Sequence, residues 1–223
     1  MNHPTAGFGR FADAPLRLGV GAIVVAAILF AFIAAQISSN HSLVSTDASL
    51  AIWLHTHGTP ALTKLFLPIS LMHGIAPILT YAAIFAILLA RARMWHWVLA
   101  VVLTVPAGLC VNSGLKYVFE RARPVFDDPL VTLQTYSFPS GHVAGTVLFY
   151  GVLAAFLISR YASLRARVAC ISALVIMIVM VALSRIYLGA HYLSDVIAAI
   201  CSSCAWLGMS LLIAQALARR AAA

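Results

Sequence analysis

Gly141-His-Val-Ala-Gly-Thr-Val-Leu-Phe-Tyr-Gly-Val-Leu-Ala-Ala-Phe-Leu-Ile-Ser159 contains no Asp, Glu, Lys or Arg, and Arg160 closes it. As an α-helix this stretch reaches about 28 Å, close to the thickness of a bilayer's hydrocarbon core. The whole chain is likewise poor in charge: 63% of its 223 residues are hydrophobic and only 9% are charged. A soluble domain carries roughly 25% charged residues. So few charges cannot cover a water-facing surface, and the chain is read as an integral membrane protein.

Outward from Gly141–Ser159, further uncharged stretches complete a set of six spans. Leu18–Ile37 is the first; its apolar run exceeds the 7–15 residues usual for a signal peptide core and predicts a retained helix. Ser38–Pro60 is polar and reads as a loop with a short amphipathic piece. Leu65–Ala90 contains Pro68, Gly74 and Pro77, which predicts an interfacial or kinked entry and a second span from about Ile75 to Ala90. Met94–Leu115, Val168–Leu183 and Ala190–Ala218 are the third, fifth and sixth spans. The polar stretch Lys116–Ser140 predicts a short extra helix between spans three and four. The expected fold is therefore an all-α bundle of six transmembrane helices, built as one domain over residues 1–223. Within it, residues 1–58 form an anchor helix and loop, and 59–218 form the core that carries the motifs.

Charge sets the orientation. With six spans, one face holds Arg10, Arg17, Arg91, Arg93, Arg160, Arg165, Arg167, Arg219 and Arg220 against Asp13, a net +8. The other face holds Lys64, Lys116, Arg121, Arg123 and Arg185 against Asp47, Glu120, Asp127, Asp128 and Asp195, a net of zero. The positive-inside rule predicts both termini in the cytoplasm. The overall charge of +8 thus reads as membrane topology, without the clustered basic patch of a nucleic-acid binder. Six-span parity also brings the loop between spans three and four and the loop between spans five and six to the non-cytoplasmic face. Those two loops hold the residues with chemistry.

Lys116-Tyr-Val-Phe-Glu-Arg-Ala-Arg123-Pro124 comes first. Seven residues make nearly two helical turns, so a continuing helix would put Lys116 and Arg123 on one face, with Pro124 ending it at Arg123. The pair reads either as cations snorkelling to headgroups or as two donors aimed at one point. Ser137-Phe-Pro-Ser140-Gly141-His142 follows; Ser140 is placed to cap the fourth span, and a helix N-terminus favours anions. Ser184-Arg185-Ile-Tyr-Leu-Gly-Ala-His191-Tyr-Leu-Ser-Asp195 is third. Its His191 and Asp195 are four apart, one face of a helix, where a carboxylate can accept the Nδ1 proton and leave Nε2 nucleophilic. His and Asp also ligate zinc, but Lys116, Arg123 and Arg185 would repel a cation and suit a phosphate.

Together these motifs resemble those of the type-2 phosphatidic acid phosphatase superfamily, namely Lys-x6-Arg-Pro, Pro-Ser-Gly-His and Ser-Arg-x5-His-x3-Asp. Every motif position matches, and the resemblance extends over about Thr59–Ala218. It implies a lipid phosphatase of the six-span bacterial kind, in the inner membrane, with its site on the periplasmic or extracellular face. His191 would be the nucleophile, oriented by Asp195, and His142 the acid and base. Lys116, Arg123, Ser140, Gly141 and Arg185 would hold the phosphate. It implies no metal or other cofactor. The partners it implies are a lipid phosphate and the surrounding membrane lipids, with no nucleic acid. The substrate class spans undecaprenyl diphosphate, phosphatidic acid and phosphatidylglycerol phosphate. A lipid phosphotransferase could use the same site, and a non-enzymatic lipid binder or transporter could keep it as a relic.

Other residues read more plainly. Cys201-Ser-Ser-Cys204 has a redox spelling but lies in an apolar span, where small residues favour close packing. Trp53, Trp95 and Trp97 read as an interfacial belt. Glu120 and Arg121 are expected to pair with each other or with solvent. His55, His57 and Lys64 are either solvated or near a second phosphate.

Overall fold

The computed structural model describes residues 16–39, 42–160 and 163–222. Arg10, Asp13 and the side chain of Arg17, counted above for topology, lie outside that description. Eight helices occupy the described residues: α1 (Leu16–Ser38), α2 (Ser42–Thr56), α3 (Pro60–Met72), α4 (Ile75–Arg91), α5 (Trp95–Phe119), α6 (Gly141–Arg160), α7 (Leu164–Tyr187) and α8 (Leu193–Ala222). Five of them are long and apolar enough to cross a membrane. The sixth candidate span is composite. α4 has 17 residues, about 25 Å of helix and short of the roughly 30 Å needed. α3 precedes it at a bend of 50°, and only the two taken together are long and apolar enough for one span. Gly74 at the elbow has an extended ψ of 168°, and Pro60 opens α3 behind a Thr59 cap.

α5, α6 and α8 form the centre of the bundle. Trp97, Val101, Val105, Leu148 and Val152 are buried there with Ile78 of α4. Small residues set the spacings. A Cβ on Gly208 of α8 would lie 2.6 Å from Ile23 Cγ1, so α1 can approach α8 only because that carbon is missing. Thr104 and Ser210 exchange a 2.7 Å hydroxyl hydrogen bond between α5 and α8. The outer faces of α1, α4 and α7 expose Val24, Ile28, Phe32, Ile84, Ile87, Val175 and Ile176, which lipid would solvate.

The expected bundle is present, with local corrections. No helix forms between Glu120 and Ser140. Glu120 adopts a left-handed backbone (φ 44°) and ends α5, so Lys116 and Arg123 do not lie on one continuous helix. Pro124, Pro129 and Pro139 lack the N–H groups a helix there would use, and loop carbonyls are instead claimed by Lys116 and Arg123. The polar stretch after α1 is more ordered than a loop, since α2 fills 15 residues of it. α8 begins two residues after His191, because Asp195 turns back to cap it. Trp97 is fully buried and packs edge-on against Phe156, whereas Trp53 and Trp95 are exposed as a belt requires. Cys201 faces inward and Cys204 outward on α8.

Candidate active site

The C-terminal ends of α5 and α7 meet the N-terminal ends of α6 and α8 at one end of the bundle. Short bonds sew these ends together: Ser140 N donates to Asp195 O at 3.1 Å, and Ser137 N donates to Arg121 O at 2.8 Å. Phe138 is fully buried, stacked on Phe30 of α1 and edge-on to Phe119 of α5. That aromatic plug fixes the loop that delivers Ser140 to the mouth of α6.

His191 sits in the tight connection between α7 and α8 and is 1% exposed. Gly189 makes the connection possible with φ +67°, and Phe126 packs where its Cβ would be. Asp195 Oδ2 lies 3.4 Å from His191 Nδ1. The same oxygen accepts a hydrogen bond from Ser137 Oγ and one of 2.9 Å from Tyr192 N. Arg123 Nη1 lies 3.2 Å from His191 Nε2. A guanidinium has only donors, so Nε2 carries the lone pair and Nδ1 the proton. Burial pushes the His191 imidazole down to about 3, against the opposing pull of Asp195; the charges of Arg185 and Arg123 push it the same way as burial. The ring is therefore neutral at physiological pH, the form a nitrogen nucleophile needs.

The cations surround this ring. Lys116, in the last turn of α5, donates to Tyr136 O at 2.7 Å and Ser137 O at 3.3 Å. Arg123 holds the carbonyls of Thr135 and Ala190, each at 2.6 Å, and burial lowers its pKa from the ordinary value. Arg185, at the end of α7, is 2% exposed and donates one N–H to Ser70 Oγ of α3. Its Nε and Nη2 have no partner, nor has the Ser140 hydroxyl. Ser140 thus occupies the capping position of α6 without making the side-chain cap expected of it. Gly141 leaves room between Asn112, Ile75 and Lys116, the nearest of whose atoms lies 3.5 Å from a notional Cβ. His142 lies within electrostatic reach of Arg185, His191, Arg123 and Lys116, and its Nε2 lies 3.6 Å from where a Cβ on Gly74 would be.

All eight residues singled out by the motifs therefore gather at one end of the bundle. The structure adds residues that sequence reasoning missed. Arg121 is largely shielded, donates to Asp195 Oδ1 at 2.6 Å and to Asp47 Oδ2 at 2.8 Å, and lies over the Tyr192 ring. Its ion pairs are with Asp47 and Asp195, not with Glu120. Asp47 of α2, 3% exposed, also accepts from Ser194 N at 3.1 Å and from Ser194 Oγ. One signal was present: Asp47 is the lone acid between Asp13 and Glu120. A buried carboxylate in such a chain needs a partner. His55 pairs with Asp128 at 2.8 Å and stacks on Phe126, while His57 stacks on Trp53. Among the described residues no group of three His, Cys, Asp or Glu side chains is placed to hold a metal ion.

An integral membrane helical bundle that gathers two histidines and three motif cations at one end defines a distinct class of protein. The chain belongs to the PAP2 superfamily, whose family profile matches residues 95–219. Over 89 residues it is 42% identical to phosphatidylglycerophosphatase B of Bacillus subtilis (strain 168), an alignment taking in 39% of this chain and 43% of that protein. The match thus spans less than half the length of this curated relative. The fold is similar to the crystal structure of the first transmembrane PAP2-type phosphatidylglycerolphosphate phosphatase from Bacillus subtilis. The TM-score is 0.77 at 24% identity, covering 89% of this chain and 96% of that one.

Proposed function

We propose that this chain is a membrane lipid phosphatase that transfers the phosphoryl group of its substrate to His191 and then to water. One observation carries the reading: Arg185 Nε and Nη2 and the Ser140 hydroxyl are buried without partners beside a neutral histidine. Buried donors are rarely left unsatisfied unless a ligand or water completes them. A phosphate offers three oxygens to such a cradle, and its charge balances Lys116, Arg123 and Arg185.

In the proposed reaction His191 Nε2 attacks phosphorus in line and the P–O bond to the lipid breaks. His142, protonated once the phosphate's negative charge offsets Lys116, Arg123 and Arg185, gives its proton to the departing oxygen. A water then attacks the phosphohistidine and loses a proton to His142, the P–N bond breaks, and inorganic phosphate leaves. Arg123, which holds Nε2 at 3.2 Å, must pass its N–H to a phosphate oxygen for the attack to begin. Asp195 keeps the proton on Nδ1 throughout.

Phosphatidylglycerol phosphate is the first substrate to test, because both named relatives are described as acting on it. Phosphatidic acid and undecaprenyl diphosphate complete the panel. Purified protein in detergent is expected to release inorganic phosphate from at least one of them, with chelator present, and His191→Ala is expected to stay folded and silent. Release by His191→Ala at the wild-type rate would remove the nucleophile assignment. A phosphorylated acceptor lipid in place of free phosphate would identify a phosphotransferase. The charge count favours cytoplasmic termini and a site on the opposite face; thiol-labelling of single cysteines near Asp128 and Arg220 in intact cells tests this.

A further inference from the structure

The residues that orient Asp195 reach well beyond the three motifs. Asp195 Oδ1 is occupied by Arg121 Nη1 at 2.6 Å, which leaves Oδ2 to face His191 Nδ1. The other end of the same guanidinium is held by Asp47 Oδ2 at 2.8 Å. Ser194 closes the figure: Arg121 donates to its hydroxyl at 2.7 Å, and that hydroxyl donates to Asp47. Asp47, Ser194 and Asp195 are buried, at 3%, 1% and 0% exposure, and the Arg121 side chain is 9% exposed. Two carboxylates share one cation here, and among the described residues neither pairs with another lysine or arginine. Asp47 comes from α2, a helix outside the residues matched by the family profile.

We propose that Asp47 and Arg121 are positioning residues for catalysis, acting in series: Asp47 holds Arg121, and Arg121 holds the Asp195 carboxylate in the orientation that serves His191. The physical basis is the fork of the guanidinium. Its two ends meet carboxylates on different helices in fixed geometry, which a point charge could not do. A carboxylate with only one oxygen pinned can rotate about Cβ–Cγ. With Oδ1 on Arg121 and Oδ2 on Ser137 and Tyr192 N, Asp195 cannot. The helix after the first span is thereby tied to the chemistry at the far end of the chain, and it supplies a catalytic support that the motifs do not contain.

This role rests on the phosphatase reading, and phosphate release tests both. Asp47→Asn is the sharpest variant, because an amide oxygen still accepts from Ser194 N and keeps that contact, whereas its NH2 cannot hold Arg121. Asp47→Asn is expected to lower kcat about tenfold and Arg121→Gln about a hundredfold, with KM changed less than about twofold, since neither residue touches the phosphate. In an Asp195→Asn background the same changes are expected to cost less than about twofold, because the group they orient is already lost. A merely structural role gives equal fold-losses in both backgrounds, and that result overturns the proposal. So does wild-type kcat in Asp47→Asn while Asp195→Asn is slow. If Arg121→Gln does not fold, the comparison of Asp47→Asn with Asp47→Asn/Asp195→Asn decides alone. A wild-type protein that releases no phosphate from any lipid on the panel overturns the phosphatase reading itself, and this inference with it.

Discussion

Arg185→Met is expected to make the protein more stable and less active at once. The guanidinium is 2% exposed, yet only its bond to Ser70 is satisfied; Nε and Nη2 have no acceptor. Each buried, unsatisfied donor costs about 1–3 kcal/mol, and the bond to Ser70 returns about 1 kcal/mol. An unbranched thioether of similar reach removes both donors and a cation close to Arg123. The folded state should gain about 1–5 kcal/mol, and each kcal/mol moves the melting midpoint of a domain this size by about 2–4 °C. Function should move the other way. Removing one donor aimed at a developing oxyanion costs about 100- to 1,000-fold in kcat. Thermal unfolding in detergent, followed with and without inorganic phosphate, separates the two effects. Phosphate at a hundred times its dissociation constant should stabilise the wild type by about 2.7 kcal/mol, and should leave Arg185→Met unmoved. A variant that melts lower than wild type and still responds to phosphate would refute the view that Arg185 is held unsatisfied for an anion.

The remaining expectations concern the same end of the bundle and its supports. Ser140→Ala should leave thermal stability within about 0.5 kcal/mol of wild type, because the hydroxyl has no partner to lose. Phosphate release should nevertheless drop about tenfold; an unaffected rate would remove the hydroxyl from the cradle. Ring-labelled histidine NMR should find His191 neutral as pH falls through 6.5, with protonation only near 3. Between those values the unfolded chain binds a proton the folded chain refuses, so stability is full above pH 6.5 and declines as pH falls toward 3. A His191 resonance titrating at the ordinary value would contradict its burial. Gly208→Val should destabilise by about 1–3 kcal/mol through the clash with Ile23, and Ile23→Ala in the same chain should recover part of it. Additive losses in that pair would show that α1 does not seat on Gly208.

Much of this protein follows from composition and spacing. Residues that must meet lipid carry no charge, so Gly141–Ser159 and its companions declare themselves without any tertiary information. Prolines and glycine at 68, 74 and 77 announce a kink before the second span, and α3 and α4 meet at a bend of 50°. The chemistry-bearing motifs are short and local, and the parity of six crossings already places their loops at one end. Helix bounds within the polar loops were less legible. A continuing helix would have joined Lys116 to Arg123 and His191 to Asp195. Instead the left-handed Glu120 stops α5, and Asp195 starts α8 by capping Tyr192 N. The side chains still converge, because loop carbonyls and not helical register hold them.

Arg121 shows where local reading ends. Its neighbours in the chain suggest a surface cation beside Glu120, since nothing within ten residues requires a buried guanidinium. Its partners lie 74 residues away on either side, Asp47 on α2 and Asp195 on α8. The sequence by itself determined that this chain lives in a membrane, and which histidines and cations share an end. Only the tertiary structure decided which carboxylates pay for Arg121 and which donors are left open beside His191. The cause is electrostatic: a charge taken out of water must find its counter-charge in space, and helices packed side by side bring distant stretches of chain within hydrogen-bond reach.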